Sequence, residues 1–201
     1  MDLYTLGTPN GHKVSIMLEE LGLEYKVHKI DISKGDQFTP EFKAVNPNSK
    51  IPALVDGDMK LMESVAILIY LAEKTGKFLP KEGNARYQTL AWAVFQAAGV
   101  GPMFGQFGHF SVYAKEKIPY AIERYQKEAL RLMGVMNEQL AHNRYLAGQE
   151  YSIADIATWP WVRGYMVFYK ASVDPVTFPH LIRWYNEIEK RPAVQKGLQV
   201  P

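Results

Sequence analysis

The first 80 residues alternate between strand-like and helical patterns of hydrophobic positions. The segments "DLYTL" (2–6) and "YKVHKID" (25–31) have the short, β-rich composition of strands. Four apolar residues between them share the i, i+3, i+4 and i+7 spacing of one helical face: Val14, Met17, Leu18 and Leu21. Strand, helix and strand in this order predict a parallel pair of strands.

Two more strands and a helix follow. The segments "IPALV" (51–55) and "MKLM" (59–62) flank the turn sequence "DGD", which is a hairpin signal. The segment "ESVAILIYLAEKTG" (63–76) is apolar around most of a helical surface, which predicts a buried helix. A parallel pair followed by a hairpin indicates one mixed sheet with helices packed on it.

Strand signals disappear from about residue 86 onward. Helical patterns cover the segments 86–107, 118–142, 152–169 and 179–192. We expect a kink at Pro102 in the first of these. The bridge "LPKEGNA" (79–85) carries Pro, Gly and Asn, which mark a boundary. The sequence therefore predicts an α+β domain at residues 1–80, a linker at 81–85 and an all-α domain at 86–201.

Composition excludes several classes of function. The net charge is only +2, which gives no electrostatic basis for binding nucleic acid or an anionic membrane. No apolar run approaches the roughly 18 residues of a membrane span, and the N-terminus lacks the pattern of a signal peptide. The chain has no cysteine and five scattered histidines, so we expect neither disulfides nor a zinc-type metal site. The expected location is a reducing cytoplasm.

The segment "TLGTPNGHKV" (5–14) places polar residues where a strand turns into a helix. In proteins of thioredoxin type this corner carries a reactive cysteine, which is missing here. Thr8 and Asn10 are common turn and capping residues, and this is one interpretation of the corner. The other is that their hydroxyl and amide groups face a ligand.

The Ile51-Pro52 pair has two interpretations. Proline cannot donate to a sheet ladder, so Pro52 fits the start of an edge strand. Alternatively, a cis peptide before Pro52 exposes the N–H and C=O of Ile51, and a short extended peptide can pair with that backbone as an added strand. The spacing alone favours the edge-strand interpretation.

The Glu63-Ser64 pair precedes the buried helix and also has two interpretations. Ser64 is suited to N-cap the helix, with Glu63 just outside it. Alternatively, a helix N-terminus with a hydroxyl and free N–H groups binds a carboxylate, while Glu63 suits a neighbouring ammonium group. An α-amino acid carries both of these charges side by side.

Taken together, these motifs resemble the cytosolic glutathione transferases over essentially the whole chain. "NPNSKIPAL" resembles the cis-proline loop of that family, and "ESVAILIYLAEK" resembles its γ-glutamyl-binding helix. "YSIADIATWPW" resembles the capping-box helix of the all-α domain, and "RPAVQKG" its usual ending. "TPNGHKV", "GDQFTPEF" and "IPYAIERY" are similar to the nu class and its relatives, which include a fungal nitrogen regulator.

The resemblance implies a thioredoxin-like N-terminal domain and an all-α C-terminal domain that bind glutathione between them, usually as a homodimer and without a metal. Ile51 would pair its backbone with the glutathione cysteine, ahead of a cis Pro52. Glu63 and Ser64 would hold the γ-glutamyl ammonium and carboxylate. Val65 departs from the small or polar residue that the family often has there, which leaves the Glu-Ser pair intact.

The resemblance also implies roles for five other residues. Gln37 and Lys50 would lie near the glycyl end of glutathione. Thr8 and Asn10 would face its sulfur, and Arg124 would reach in from the helical domain. The corner then needs no cysteine, because glutathione supplies the thiol and the helix N-terminus lowers the pKa of that thiol.

We therefore expect a glutathione-dependent disulfide oxidoreductase, in which glutathione thiolate attacks a disulfide and a second glutathione resolves the mixed disulfide. Reduction of organic hydroperoxides is a related activity that would use the same thiolate. The alternatives are conjugation of glutathione to an electrophile and a non-catalytic regulatory protein of the same fold.

Other conspicuous residues have simpler interpretations. Asp155 lies three residues after Ser152, which is a capping arrangement, so we interpret it as a folding determinant. The tryptophans at 159, 161 and 184 are interpreted as core and interface residues, and Tyr4 as a core residue. The phenylalanines of "MFGQFGHF" (103–110) pack in the core or line a pocket for a second substrate.

Overall fold

The computed structural model describes all 201 residues. Its sheet has four strands in the order β2-β1-β3-β4: β1 (Asp2–Thr5), β2 (Lys26–Lys29), β3 (Ala53–Asp56) and β4 (Met59–Met62). β1 pairs in parallel with β2 and antiparallel with β3, and β3 pairs antiparallel with β4. The prediction of a mixed sheet is confirmed.

Strand β3 lies inside the sheet, between β1 and β4. The interpretation of Pro52 as the start of an edge strand is therefore wrong. The Ile51-Pro52 peptide is cis, and Pro52 is buried immediately before the strand. Because Pro52 precedes the first ladder residue, its missing N–H removes no hydrogen bond from the sheet.

Three helices accompany the sheet: α1 (Pro9–Leu21), α2 (Pro40–Lys43) and α3 (Ser64–Thr75). Helix α1 ends at Gly22, whose φ of 66° is the left-handed conformation of a helix C-terminus. Gly76 ends α3 in the same way, with a φ of 70°. Both helices therefore end at a glycine, which adopts the left-handed conformation without steric cost.

The rest of the chain is helical, in six helices: α4 (Gly83–Phe95), α5 (Gly101–Gly108), α6 (Pro119–His142), α7 (Ile153–Val167), α8 (Pro179–Glu189) and α9 (Pro192–Gly197). Two π-helical segments, Gln96–Val100 and His109–Tyr113, follow α4 and α5 without a break. The irregularity expected at Pro102 thus begins six residues earlier, as a π-helical segment. None of the helices has the length and apolarity needed to cross a membrane.

One hydrophobic cluster of 36 buried residues runs through both parts of the chain. Helix α1 lies at its centre, because it packs on α3 from the sheet domain and on α7 and α9 from the helical domain. Gly197 of α9 makes the closest approach, since a Cβ there would lie 2.7 Å from the backbone nitrogen of Ile16. The two domains therefore share a core rather than meeting at a wet interface.

Asp155 organises the start of α7 within this core. One carboxylate oxygen accepts from the Leu146 N–H at 2.9 Å and from the Trp184 indole at 2.8 Å, and the other accepts from the Ser152 N–H at 3.0 Å. The Ser152 hydroxyl accepts from the Ala154 N–H, which completes a capping box. The interpretation of Asp155 as a folding determinant fits these contacts.

We predict that Asp155→Ala lowers the free energy of unfolding by about 3 kcal/mol or more, because it leaves several buried donors without an acceptor. Ser152→Ala is the matched control. It removes the cap but leaves the Asp155 bonds to Leu146 and Trp184, so a loss of about 1 kcal/mol is expected. Urea denaturation of both variants measures the difference, and equal losses would contradict the prediction.

Candidate active site at the β1–α1 corner

The corner between β1 and α1 depends on a glycine. Thr8 is the N-cap of α1, and its Oγ1 accepts from the Gly11 N–H at 3.2 Å. An ideal Cβ on Gly11 would lie 2.1 Å from the Leu6 carbonyl oxygen and 2.5 Å from Thr5 Oγ1. Only glycine therefore allows the first turn of α1 to lie this close to the end of the strand.

A crevice of about 160 Å³ opens beside this corner. Eight residues line it: Asn10, Asn46, Asn48, Lys50, Ile51, Pro52, Glu63 and Ser64. Six of them are residues that the sequence predicted as site residues, drawn from three separate segments of the chain. The fold thus brings the corner, the cis-proline loop and the start of α3 to one place.

The Ile51 backbone presents a free peptide edge in this crevice. Neither its N–H nor its C=O has a hydrogen-bond partner within the chain. Asn46 holds the loop in shape, because its side chain donates to the Lys50 carbonyl at 2.6 Å and accepts from the Asn48 N–H at 2.9 Å. Sequence reasoning missed Asn46 and Asn48, although asparagine beside proline is a known signal of such side-chain turns.

Helix α3 begins one residue earlier than expected. Its first residue is Ser64, and the N-cap is Glu63, which has a φ of 67° and makes no capping hydrogen bond with its side chain. The prediction that Ser64 is the N-cap is therefore wrong. The Ser64 hydroxyl instead accepts from Lys13 Nζ at 3.1 Å, and the exposed Glu63 lies at the rim of the crevice.

The side chain of Asn10 is oriented by Trp161. The indole Nε1–H of Trp161 donates to Asn10 Oδ1 at 3.0 Å. An indole only donates, so the amide oxygen must face α7 and the amide NH₂ is left for the crevice. Gly101 and Gly105 of α5 lie beside the indole, where a Cβ would make an ordinary van der Waals contact with the ring at 3.4 Å.

Trp161 is interpreted from the sequence as a core and interface residue, and the structure adds that it orients Asn10. Its indole nitrogen reaches from the helical domain to the corner of the sheet domain. No local pattern in the sequence signals this contact, because the two residues lie 151 positions apart.

The remaining predicted site residues are not among those that line the crevice. Thr8 lies two residues before Asn10, at the cap of α1. Gln37 lies in the short 3₁₀ turn Asp36–Phe38 and donates to the Ile32 carbonyl at 3.3 Å. Arg124 is exposed on α6 and lines a separate groove of about 660 Å³. The roles of these residues stay predictions.

This arrangement defines a class of two-domain proteins that join a thioredoxin-like sheet to an all-α domain. The chain belongs to the glutathione S-transferase family. The family model for the N-terminal domain of glutathione S-transferase matches residues 1–73, and the model for its C-terminal domain matches residues 92–192.

Two relatives from Escherichia coli (strain K12) are each 47% identical to the chain. The disulfide-bond oxidoreductase YfcG matches over 205 residues, which are 98% of this chain and 94% of YfcG. The disulfide-bond oxidoreductase YghU matches 98% of this chain and 73% of YghU.

Two solved structures have nearly the same fold. A glutathione transferase family member from Pseudomonas fluorescens pf-5, with two glutathione bound, has a TM-score of 0.95 and 46% identity, covering 100% of this chain and 92% of that one. A glutathione transferase from Pseudomonas putida, with one glutathione disulfide bound per subunit, has a TM-score of 0.93 and 44% identity, covering 100% and 91%.

His12, in the first turns of α1, gives this corner a pH-dependent stability. Burial, together with the nearby Arg163 guanidinium, lowers the pKa of His12 to about 4. The unfolded chain takes up the same proton at about pH 6.5, so the unfolded state is favoured as the pH falls through this window.

We predict that the His12 contribution lowers the free energy of unfolding between about pH 6.5 and pH 4, so that His12→Gln makes the dependence of this free energy on pH less steep by about 1 kcal/mol per pH unit. Urea denaturation at several pH values measures the slope. His142→Gln is the control, because His142 is exposed on α6 and its substitution leaves the slope unchanged. An unaltered slope in His12→Gln would contradict the prediction.

Proposed function

We propose that this chain is a glutathione-dependent disulfide-bond oxidoreductase that uses the thiol of bound glutathione. One observation carries the proposal: the Asn10 amide, fixed by Trp161, shares a crevice with the free Ile51 edge and with the Glu63-Ser64 pair. The names of the relatives YfcG and YghU and the glutathione bound in the related structures support it.

The proposed binding mode uses three parts of the crevice. The cysteine residue of glutathione pairs with the Ile51 N–H and C=O as an added strand. The γ-glutamyl carboxylate binds Ser64 and the N–H groups at the start of α3, and its ammonium group binds Glu63. Lys50 lies exposed at the rim, where it attracts the glycyl carboxylate.

The sulfur lies at the N-terminus of α1 in this proposal. A free thiol has a pKa of about 8.5, and a helix N-terminus with nearby donors lowers it. The Asn10 NH₂ is one donor. The Thr8 hydroxyl is a second, because its oxygen accepts from the Gly11 N–H and its own proton is free.

The reaction needs two molecules of glutathione, because the chain has no cysteine. The first thiolate attacks one sulfur of the substrate disulfide, forms a mixed disulfide and expels the other sulfur as a thiolate, which takes up a proton. The second thiolate attacks the glutathione sulfur of the mixed disulfide and expels the remaining substrate thiol. The products are two substrate thiols and one glutathione disulfide.

The proposal also covers the location, the oligomeric state and two further binding residues of the enzyme. We place it in a reducing cytoplasm as a homodimer, with Gln37 near the glycyl end of glutathione and Arg124 reaching toward the ligand from the helical domain. Reduction of an organic hydroperoxide is a second reaction open to the same thiolate, and nu-class membership fits the corner sequence.

A coupled assay tests the proposal directly. Reduction of 2-hydroxyethyl disulfide by glutathione is followed through the glutathione disulfide formed, with an organic hydroperoxide and an aryl halide assayed in parallel. We expect disulfide reduction well above the rate without protein. A rate at background with the disulfide, together with rapid conjugation of the aryl halide, would replace the proposal with a conjugating transferase.

We further predict that Trp161→Phe lowers kcat/KM for disulfide reduction about tenfold and that Asn10→Ala lowers it about a hundredfold, since a preorganised donor to a developing charge has that order of effect. Trp159→Phe is the matched control. Its indole also donates to a buried oxygen, the Tyr185 carbonyl, at 3.0 Å, but it lies away from the crevice. Equal losses in the two tryptophan variants would show that Trp161 acts only through stability.

A further inference from the structure

Lys13 is a buried amine directly behind the crevice. It is the fifth residue of α1, and its relative exposure is 2%. Its Nζ donates to Ser64 Oγ at 3.1 Å and to Gln96 Oε1 at 2.6 Å, and both acceptors are neutral. A buried ammonium that contacts no carboxylate is costly, so a protonated Lys13 is a positive charge whose hydrogen-bond partners do not neutralise it.

The contact with Lys13 determines what the Ser64 hydroxyl does. An ammonium has three donors and no acceptor, so Ser64 Oγ accepts from it and cannot donate to it. The hydroxyl proton must therefore point elsewhere, and Ser64 lines the crevice. A protonated Lys13 thus makes Ser64 a hydrogen-bond donor toward whatever occupies the crevice.

The charged groups around Lys13 affect its pKa. Burial lowers the pKa of Lys13 to about 7, and the Glu63 carboxylate acts in the opposite direction. No other charged group on the helices packed against α1 acts on it. Arg163 of α7 acts on His12 instead, and Lys196 of α9 pairs with Glu19.

We propose that Lys13 is a positioning residue for carboxylate recognition, which holds the Ser64 hydroxyl as a donor and balances the negative charge of the γ-glutamyl α-carboxylate. This inference rests on the proposed function, because it takes glutathione as the ligand. With glutathione bound, charges alternate from the Lys13 ammonium through the ligand carboxylate and the ligand ammonium to Glu63. Lys13 therefore selects ligands that carry an α-carboxylate, although it does not touch them.

Gln96 connects Lys13 to the helical domain. It is fully buried in the π-helical segment after α4, and its amide oxygen faces Lys13. A Cβ on Gly101 would lie 2.7 Å from Gln96 Nε2, so the glycine leaves room for the amide. The irregular backbone of this segment thus supplies the second acceptor that keeps Lys13 in place.

The test compares two ligands that differ only in the α-carboxylate. One is S-methylglutathione, and the other is S-methyl-(4-aminobutanoyl)-cysteinylglycine. The methyl group removes the titration and oxidation of the thiol. Affinities are measured by calorimetry at pH 6.5 for the wild type, for Lys13→Met and for Lys127→Met, an exposed control on α6.

We expect Lys13→Met to weaken binding of S-methylglutathione at least tenfold and to change binding of the decarboxylated analogue less than twofold. The Lys127→Met control should bind both like the wild type. Equal weakening of both ligands, or no weakening of either, would overturn the role of Lys13 and leave the proposed function standing. If the wild type bound neither ligand, the proposed function would fail as well.

If Lys13→Met does not fold, the pH dependence of ligand binding by the wild type tests the proposal by itself. A neutral amine can accept the Ser64 proton and no longer balances a carboxylate. The preference for S-methylglutathione over its decarboxylated analogue is therefore expected to fall at least fivefold between pH 6 and pH 8. A preference that stays constant over this range would overturn the proposal, because both ligands keep their ammonium group largely protonated up to pH 8.

Discussion

The burial of helix α1 is the constraint on which the rest of the structure depends. From Pro9 to Leu18 every residue except Asn10 is buried, because the helix lies between α3 on one side and α7 and α9 on the other. Buried polar side chains on this stretch have little access to bulk water, so Lys13 and Ser15 form their hydrogen bonds within the fold. Ser15, for example, donates to the Gly197 carbonyl at 2.8 Å.

The same constraint gives the candidate site its chemistry. Asn10 and Ser64 can each donate or accept, and in isolation neither has a fixed direction. The Trp161 indole and the Lys13 ammonium can only donate hydrogen bonds. They therefore bond to the oxygens of Asn10 and Ser64, and the amide and hydroxyl protons of Asn10 and Ser64 remain available to the crevice. The buried side of the site therefore determines the hydrogen bonds that the open side offers, before any ligand arrives.

Local sequence patterns predicted much of this arrangement, and the errors have definite causes. The apolar faces of α1 and α3 were found because helix signals depend on neighbours a few residues apart. The edge-strand interpretation of Pro52 failed because strand order in a sheet is not a local property. Ser64 was misplaced by one position because its hydroxyl serves Lys13, which lies 51 residues away, instead of its own helix.

The sequence by itself determined the four strands, the longer helices, the family, and six of the residues that meet in the crevice, because each leaves a mark in local spacing or in a motif. Only the tertiary structure decided how those residues are oriented. The bond from Trp161 to Asn10 spans 151 residues, and the bond from Lys13 to Gln96 spans 83. Such contacts arise from the packing of whole elements against α1, and a periodicity that compares near neighbours carries no information about them.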